Sequence, residues 1–297
     1  SDLQFRHKRS KALRAADLVI VLGFPLDFRL GYGQKINRNA SLITVNRDSA
    51  ALKKNRRPTL GIHADGGRFL QALATEFKGD KGWEGWFTDL RVTETDRDAE
   101  IAAMADATGP YVNPVKLCMS IEDKLGDDSV LIVDGGDFVA TAAYIVKPRG
   151  PLCWLDPGVF GTLGVGGGFA AGVGVCREKS EIWLLYGDGA SGFSLAEFDT
   201  FARHGFPVIA VVGNDAAWGQ IARDQTVILG DDVGTVLERT AYHEVAEGYG
   251  GKGLLLNEPD KVEEVLNEAK AIAAQGHPVL INVWLNPSDF RKGSISM

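Results

Sequence analysis

Two carboxylates, Asp188 and Asp215, stand at the ends of two apolar runs, 182–189 and 208–215, that are separated by one helical stretch. The first run ends in Gly187-Asp188-Gly189 and the second in Gly213-Asn214-Asp215, with 27 residues from one acid to the other. Apolar runs alternating with a helix predict a parallel sheet, whose ligand sites lie at the carboxyl ends of its strands. Two acids there suit a cation of the magnesium type, which takes about six oxygen ligands and keeps part of its shell from water or phosphate. Asp188 and Asp215 would each give one carboxylate oxygen, the turn at Ala216-Ala217 a main-chain carbonyl, and diphosphate oxygens the rest. Gly187 and Gly189 suit the same purpose, because a tight turn before the helix expected over 194–204 leaves N–H groups to face phosphate. A Gly-Asp-Gly triplet alone is an ordinary turn signal. The second acid at the matching place is what sets it apart.

The elements that must position these acids are legible in outline. Residues 9–16 read as the end of a helix, 18–23 and 41–48 as two short buried strands, and 66–77 as a helix with Phe69, Leu70, Leu73 and Phe77 on one side. Residues 78–114 are charged and helical in tendency. Four further strands are expected over 129–136, 182–189, 208–215 and 278–285, with helices such as 194–204 and 260–274 between them. The fold class is α/β, with parallel sheets flanked by helices.

Composition narrows the function. A net charge of -7 argues against a nucleic-acid surface, which needs a dense basic patch. Basic clusters at His7-Lys8-Arg9 and around Lys53, Lys54, Arg56 and Arg57 read as solvated faces, and the second could meet a phosphorylated substrate tail. The three cysteines, Cys118, Cys153 and Cys176, have no paired spacing, which suits a reducing, cytoplasmic compartment. No apolar run reaches bilayer-spanning length, and the basic start does not read as a signal peptide. The five histidines show no metal-ligand spacing.

The Gly-Asp-Gly and Asn-Asp elements together resemble the signature of thiamine-diphosphate-dependent enzymes. The likeness implies a magnesium ion held by Asp188, Asp215 and the Ala217 carbonyl, and a diphosphate near Gly187, Gly189 and Ala190. The family usually has asparagine where Asp215 stands, so the extra charge implies tighter metal binding at neutral pH and weaker binding once the acid is protonated. The run 156–166 resembles the loop under the middle of the cofactor. There the Gly161 carbonyl would accept from the 4'-amino group, and Leu163 would wedge between the two rings. The stretch 134–138 resembles a further element near the diphosphate, bringing in Asp137 and Phe138; Asp137 must then face a donor or point away from the phosphates.

The wider match, through 21–33, 45–48, 155–166, 213–225 and 289–297, resembles 2-hydroxyacyl-CoA lyases and acetolactate-synthase-like proteins. It implies cleavage of a 2-hydroxyacyl-CoA to formyl-CoA and an aldehyde or ketone, with Trp218 and Gln220 as candidate pocket walls. The tail 290–294 could close over the site and bring Arg291 or Lys292 to a CoA phosphate. The implied division is 1–85, the latter part of a central Rossmann-like domain; 86–114, a linker; and 115–297, a diphosphate-binding domain with its tail. The pyrimidine-binding portion and its activating glutamate have no counterpart, which implies a separate chain or a nicked precursor, in a homo-oligomer of complete units. Acetolactate synthase, an oxalyl-CoA decarboxylase-like enzyme and a noncatalytic partner are the alternatives. A dinucleotide oxidoreductase is disfavoured, because 23–33 is a poor phosphate loop.

Overall fold

The structure, a computed structural model, describes residues 9–79 and 82–292, the side chain of Val159 apart. Contacts divide the chain into two units, 1–100 and 101–297, each with its own sheet.

In the first unit helix α1 (Arg9–Ala15) leads into parallel strands β1 (Leu18–Leu22), β2 (Ser41–Asn46) and β3 (Leu60–His63), paired in that order. The expectation of two strands is corrected to three among the described residues. Leu60–His63 is short, carries Gly61, and has no buried residue, so its apolar signal is weak. Helix α2 (Gly66–Glu76) starts where the Asp65 carboxylate accepts from the Arg68 N–H at 2.9 Å. A small core of Val19, Val21, Leu26, Ile36 and Leu42 lies on this sheet. Arg29 is paired with Asp27 at 2.6 Å and Arg47 with Asp65 at 2.7 Å. Most of the stretch 86–114, expected as a linker, lies in a 22-residue helix, α3 (Glu84–Ala105).

The second unit opens with α4 (Pro114–Lys124), capped by Asn113, whose Oδ1 accepts from the N–H groups of Val115 and Lys116. Then come β4 (Val130–Val133), α5 (Asp137–Ile145), β5 (Trp154–Leu155), α6 (Gly166–Cys176) and β6 (Ile182–Gly187). The chain continues through α7 (Asp188–Ser191), α8 (Glu197–His204), β7 (Val208–Asn214), α9 (Gly219–Leu229) and α10 (Tyr242–Gly248). It ends with β8 (Lys252–Leu256), α11 (Val262–Ala274) and β9 (Val279–Trp284). The six strands form one parallel sheet in the order β5-β4-β6-β7-β9-β8. Of these, β5 and β8 were not expected. Both are edge strands, one of two residues and the other opening on Lys252 and Gly253, so neither is a strong apolar run.

The central strands are buried on both faces, which is why they read as unbroken apolar runs. Leu131, Trp183, Leu185, Ile209, Val211 and Ile281 pack to one side. Ile132, Leu184, Tyr186, Ala210, Val212 and Leu280 pack to the other, with Phe198 and Phe201 of α8. From β4 the chain first passes outward to β5 and then returns to β6 on the other side of β4. That reversal makes the carboxyl ends of β4 and β6 the crevice where such sheets bind ligands.

Candidate metal and diphosphate site

The register pairs Gly187 with Gly213, so Asp188 and Asp215 leave adjacent strands one and two residues beyond a matched pair. The triplet does not lead directly into the long helix expected over 194–204. It opens a one-turn helix of its own, α7, and α8 begins only at Glu197. Asp188 is almost fully buried: Oδ1 accepts from the Gly189 N–H at 2.7 Å and Oδ2 from the Ala217 N–H at 3.2 Å. The second bond ties the end of β6 to the loop after β7. In that loop Ala216 has a φ of 58°, a left-handed conformation that costs an alanine about 1–2 kcal/mol. It is held there by Asn214 Oδ1, which accepts from the Ala216 N–H at 3.2 Å.

The electrostatics are those of a site short of positive charge. Burial pushes Asp215 up to about 7, and the charges of Asp188 and Asp137 add to the rise. Burial likewise raises Asp188, against the pull of its N–H donors. Asp137, at the start of α5, accepts at Oδ2 from Nη2 of Arg223 of α9 at 2.5 Å, while its Oδ1 is buried with no hydrogen-bond partner. Asp137 therefore faces a donor. Three crowded carboxylates, with one orphaned oxygen and one guanidinium, fit a cation that would discharge the repulsion. Among the described residues no group of three or more His, Cys, Asp or Glu side chains is arranged to hold a metal.

The glycines around these acids serve close approach. Gly187 donates its N–H to the Gly135 carbonyl at 2.7 Å, and a Cβ on Gly136 would stand 3.0 Å from the Gly187 Cα. A Cβ on Gly135 would fall 2.2 Å from Leu163 Cδ2, so Leu163 lies directly on this strand end, beside Ala190. Gly161, with φ of 58°, turns the chain before it. The loop is anchored by a residue not singled out in the sequence. Asp134, nearly fully buried, accepts from the N–H groups of Gly164 and Gly166, each at 2.8 Å. An acid closing a strand thirty residues ahead of an N–H-rich glycine run was the available signal.

The remaining candidates divide. Trp218 is half-buried with its indole on Gly189, where an added Cβ would meet the ring at 2.5 Å, and Gln220 is half-buried in the first turn of α9. The ring of Phe138 is committed to the core against Gly213, which leaves only its main chain for a ligand. Arg291 is a correction. It is 5% exposed, with its guanidinium 5.0 Å from the Tyr144 ring centre, so its charge is stacked inside the unit rather than offered to a phosphate. Gly293 and Ser294 of the tail, like His7 and Lys8, lie outside the described residues. A cleft of about 360 Å³, lined by Gly174, Arg177, His204 and Phe206, lies at the opposite, amino edge of the sheet, away from the acids.

Residues 134–283 match the family model for the C-terminal TPP binding domain of thiamine pyrophosphate enzymes, and residues 3–73 match the model for the central domain of the same enzymes. The chain belongs to the thiamine pyrophosphate enzyme family. It is 47% identical to 2-hydroxyacyl-CoA lyase 2 of Danio rerio, over all of this chain and 49% of that protein. It is 45% identical to 2-hydroxyacyl-CoA lyase 2 of Homo sapiens, over 99% of this chain and 48% of that protein. A probable acetolactate synthase of Mycobacterium bovis is 36% identical over 96% of this chain and 52% of its own length. The chain thus spans about half the length of the curated relatives it matches. The fold is shared with the thiamine diphosphate-dependent 4-hydroxybenzoylformate decarboxylase of Rhodococcus jostii RHA1, with a TM-score of 0.73 over 94% of this chain and 51% of that one, at 22% identity. Among the described residues no helix is long and apolar enough to cross a membrane.

Proposed function

We propose that this chain is the diphosphate-binding part of a thiamine-diphosphate-dependent lyase that cleaves a 2-hydroxyacyl-CoA to formyl-CoA and an aldehyde or ketone. The observation that carries the reading is the end-to-end identity to 2-hydroxyacyl-CoA lyase 2, 47% over the whole chain, loops included. Thiamine diphosphate, when bound, supplies the carbon nucleophile and the electron sink for breaking a bond beside a carbonyl.

In this reading the chain's own groups bind and orient. Asp188 and Asp215 would each give magnesium a carboxylate oxygen and Ala217 its carbonyl, with the diphosphate beside Gly187, Gly189 and Ala190, although the N–H groups of Gly187 and Gly189 are already donated, to the Gly135 carbonyl and to Asp188 Oδ1. The Gly161 carbonyl would accept from the aminopyrimidine, and Leu163, seated on Gly135, would pack against the cofactor rings and hold their orientation. Trp218 and Gln220 border the acyl-CoA pocket. A small crevice near the acids is lined by Asp137, Phe138, Asp215 and Leu285, and in this reading the site is completed by a pyrimidine-binding portion and by assembly of complete units. A cytoplasmic setting is proposed on the three free thiols, Cys118, Cys153 and Cys176.

The test uses the complete protein with magnesium and thiamine diphosphate. Formyl-CoA and a carbonyl product should appear from at least one 2-hydroxyacyl-CoA. The second reading, supported by the 36% identity to a probable acetolactate synthase, predicts acetolactate from pyruvate instead. Acetolactate without formyl-CoA would replace the lyase assignment, and neither product with bound cofactor would remove both.

A further inference from the structure

Below the metal loop lies a set of buried polar contacts that no ligand role explains. Asn214, the last residue of β7, is fully buried, and its main-chain carbonyl takes two donors. One is the Leu285 N–H at 2.9 Å, and the other is Nη1 of Arg239 at 2.6 Å. Nη2 of the same guanidinium donates to the Leu285 carbonyl at 3.1 Å. Arg239 thus bridges the chain leaving β7 and the chain leaving β9. Its Cζ lies 4.3 Å from the ring centre of Tyr111 and 5.3 Å from that of Trp284, two rings set edge to face.

The segment carrying Arg239 also borders the loop itself. The Trp218 N–H donates to the Thr235 carbonyl at 2.8 Å, and the Leu237 N–H to the Ala216 carbonyl at 2.8 Å. On the other side, Asn214 Nδ2 donates to Asn282 Oδ1 at 3.2 Å, and Asn282 Nδ2 reaches the Thr240 carbonyl at 2.9 Å. The peptides before and after Asp215 are therefore held from two sides, although Asp215 makes none of these bonds itself. A left-handed Ala216 needs such holding, since the turn is unfavourable for its residue type.

We propose that Arg239 is the positioning residue of the metal loop. Anchored on the Asn214 carbonyl and set against the rings of Tyr111 and Trp284, it sets the path of Asn214-Asp215-Ala216-Ala217, so that the Asp215 carboxylate and the Ala217 carbonyl converge on the ion that Asp188 also meets. A planar fork with two donors in fixed directions satisfies both carbonyls while its charge lies over the rings. A lysine ammonium reaches one carbonyl and stacks on neither ring as well. The inference rests on the reading that Asp188 and Asp215 share a divalent cation.

The test is Mn2+ binding to the complete protein, read by electron paramagnetic resonance of free Mn2+, for wild type, Arg239→Lys, Arg239→Met, Tyr111→Leu and Asp188→Ala. Loss of an outer partner of a metal ligand weakens affinity by about 10–100-fold. Arg239→Lys should therefore raise the Mn2+ dissociation constant by about 10-fold, Arg239→Met by more, and Tyr111→Leu, which removes one ring contact but keeps both hydrogen bonds, by less. With saturating metal and cofactor, Arg239→Lys should recover kcat while its apparent KM for metal stays raised, a split that a purely structural defect would not give. Wild-type Mn2+ affinity in Arg239→Lys, with Asp188→Ala losing the ion, would overturn the role of Arg239 alone. A wild-type protein that ignores Mn2+, or Asp188→Ala binding it normally, would overturn the shared-ion reading beneath it. If Arg239→Met does not fold, the lysine variant decides.

Discussion

The six-stranded sheet and the three-stranded sheet are made of similar residues and are covered very differently. In β6 and β7 every residue is buried, and Phe198 and Phe201 close one face without exposure. In β1 buried and more exposed positions alternate, β3 has no buried residue, and α2 has none either, with Leu70 and Phe77 about half exposed at 52% and 51%. A parallel sheet is ordinarily covered on both faces, so the larger unit forms its own core while the smaller one shows surface that water does not favour. The acids stand on the self-sufficient sheet. A site that must hold like charges together needs a platform whose strand ends cannot drift.

The sharpest way to break this contrast is through the core. Phe201→Ala, which empties a fully buried site against Phe198, should cost about 3–5 kcal/mol in urea unfolding of the chain. Next in size, Asp188→Ala in the complete protein should weaken magnesium-dependent uptake of thiamine diphosphate on the order of 100-fold or more by calorimetry, beyond what an outer partner costs. It should leave unfolding of the first unit unchanged, because both acids follow strands of the six-stranded sheet. Uptake equal to wild type would remove the acids from the site.

The pH dependence is smaller and has a definite sign. Asp215 is raised to about 7 in the folded chain, so folded protein binds this proton more tightly than unfolded protein does. The stability it contributes is complete below the unfolded carboxylate range near pH 4 and is lost as pH rises through about 7, with a slope of at most about 1.4 kcal/mol per pH unit. Asp215→Asn should flatten that part of a metal-free stability profile. Magnesium affinity of wild type should rise over the same interval, because the ligand form is the carboxylate. An unchanged profile in Asp215→Asn would place the raised acid elsewhere. The smallest effect belongs to the uncovered helix: Leu70→Ala should change chain stability by no more than about 0.5 kcal/mol. A cost comparable to that of Phe201→Ala would erase the difference between the two units.

Legibility in the sequence followed coverage. The runs at 182–187 and 208–214 stood out because strands buried on two faces are apolar throughout, and their closing acids stood out with them. Strands β3, β5 and β8 escaped notice because short or edge strands need only part of that pattern. Asp188 and Asp215 belong to local motifs visible in residue order, whereas Gly161 and Leu163 were named through the family resemblance of the run 156–166. The Asp137 to Arg223 ion pair spans 86 residues, and Arg239 reaches the Asn214 carbonyl across 25. No local pattern announces such pairs. Asn282 left a faint trace, as a polar residue within the apolar run 278–285.

Residue order by itself determined that this is an α/β chain with acids at the ends of two apolar strands, because period, burial and turn chemistry are short-range properties. Which carbonyl Arg239 grips, which oxygen of Asp137 is left unpaired, and that Arg291 is stacked inward rather than presented to a ligand were decided only by the tertiary structure. Those outcomes depend on which side chains the packed sheet brings within hydrogen-bond or stacking distance, and that distance is set by the fold as a whole rather than by spacing along the chain.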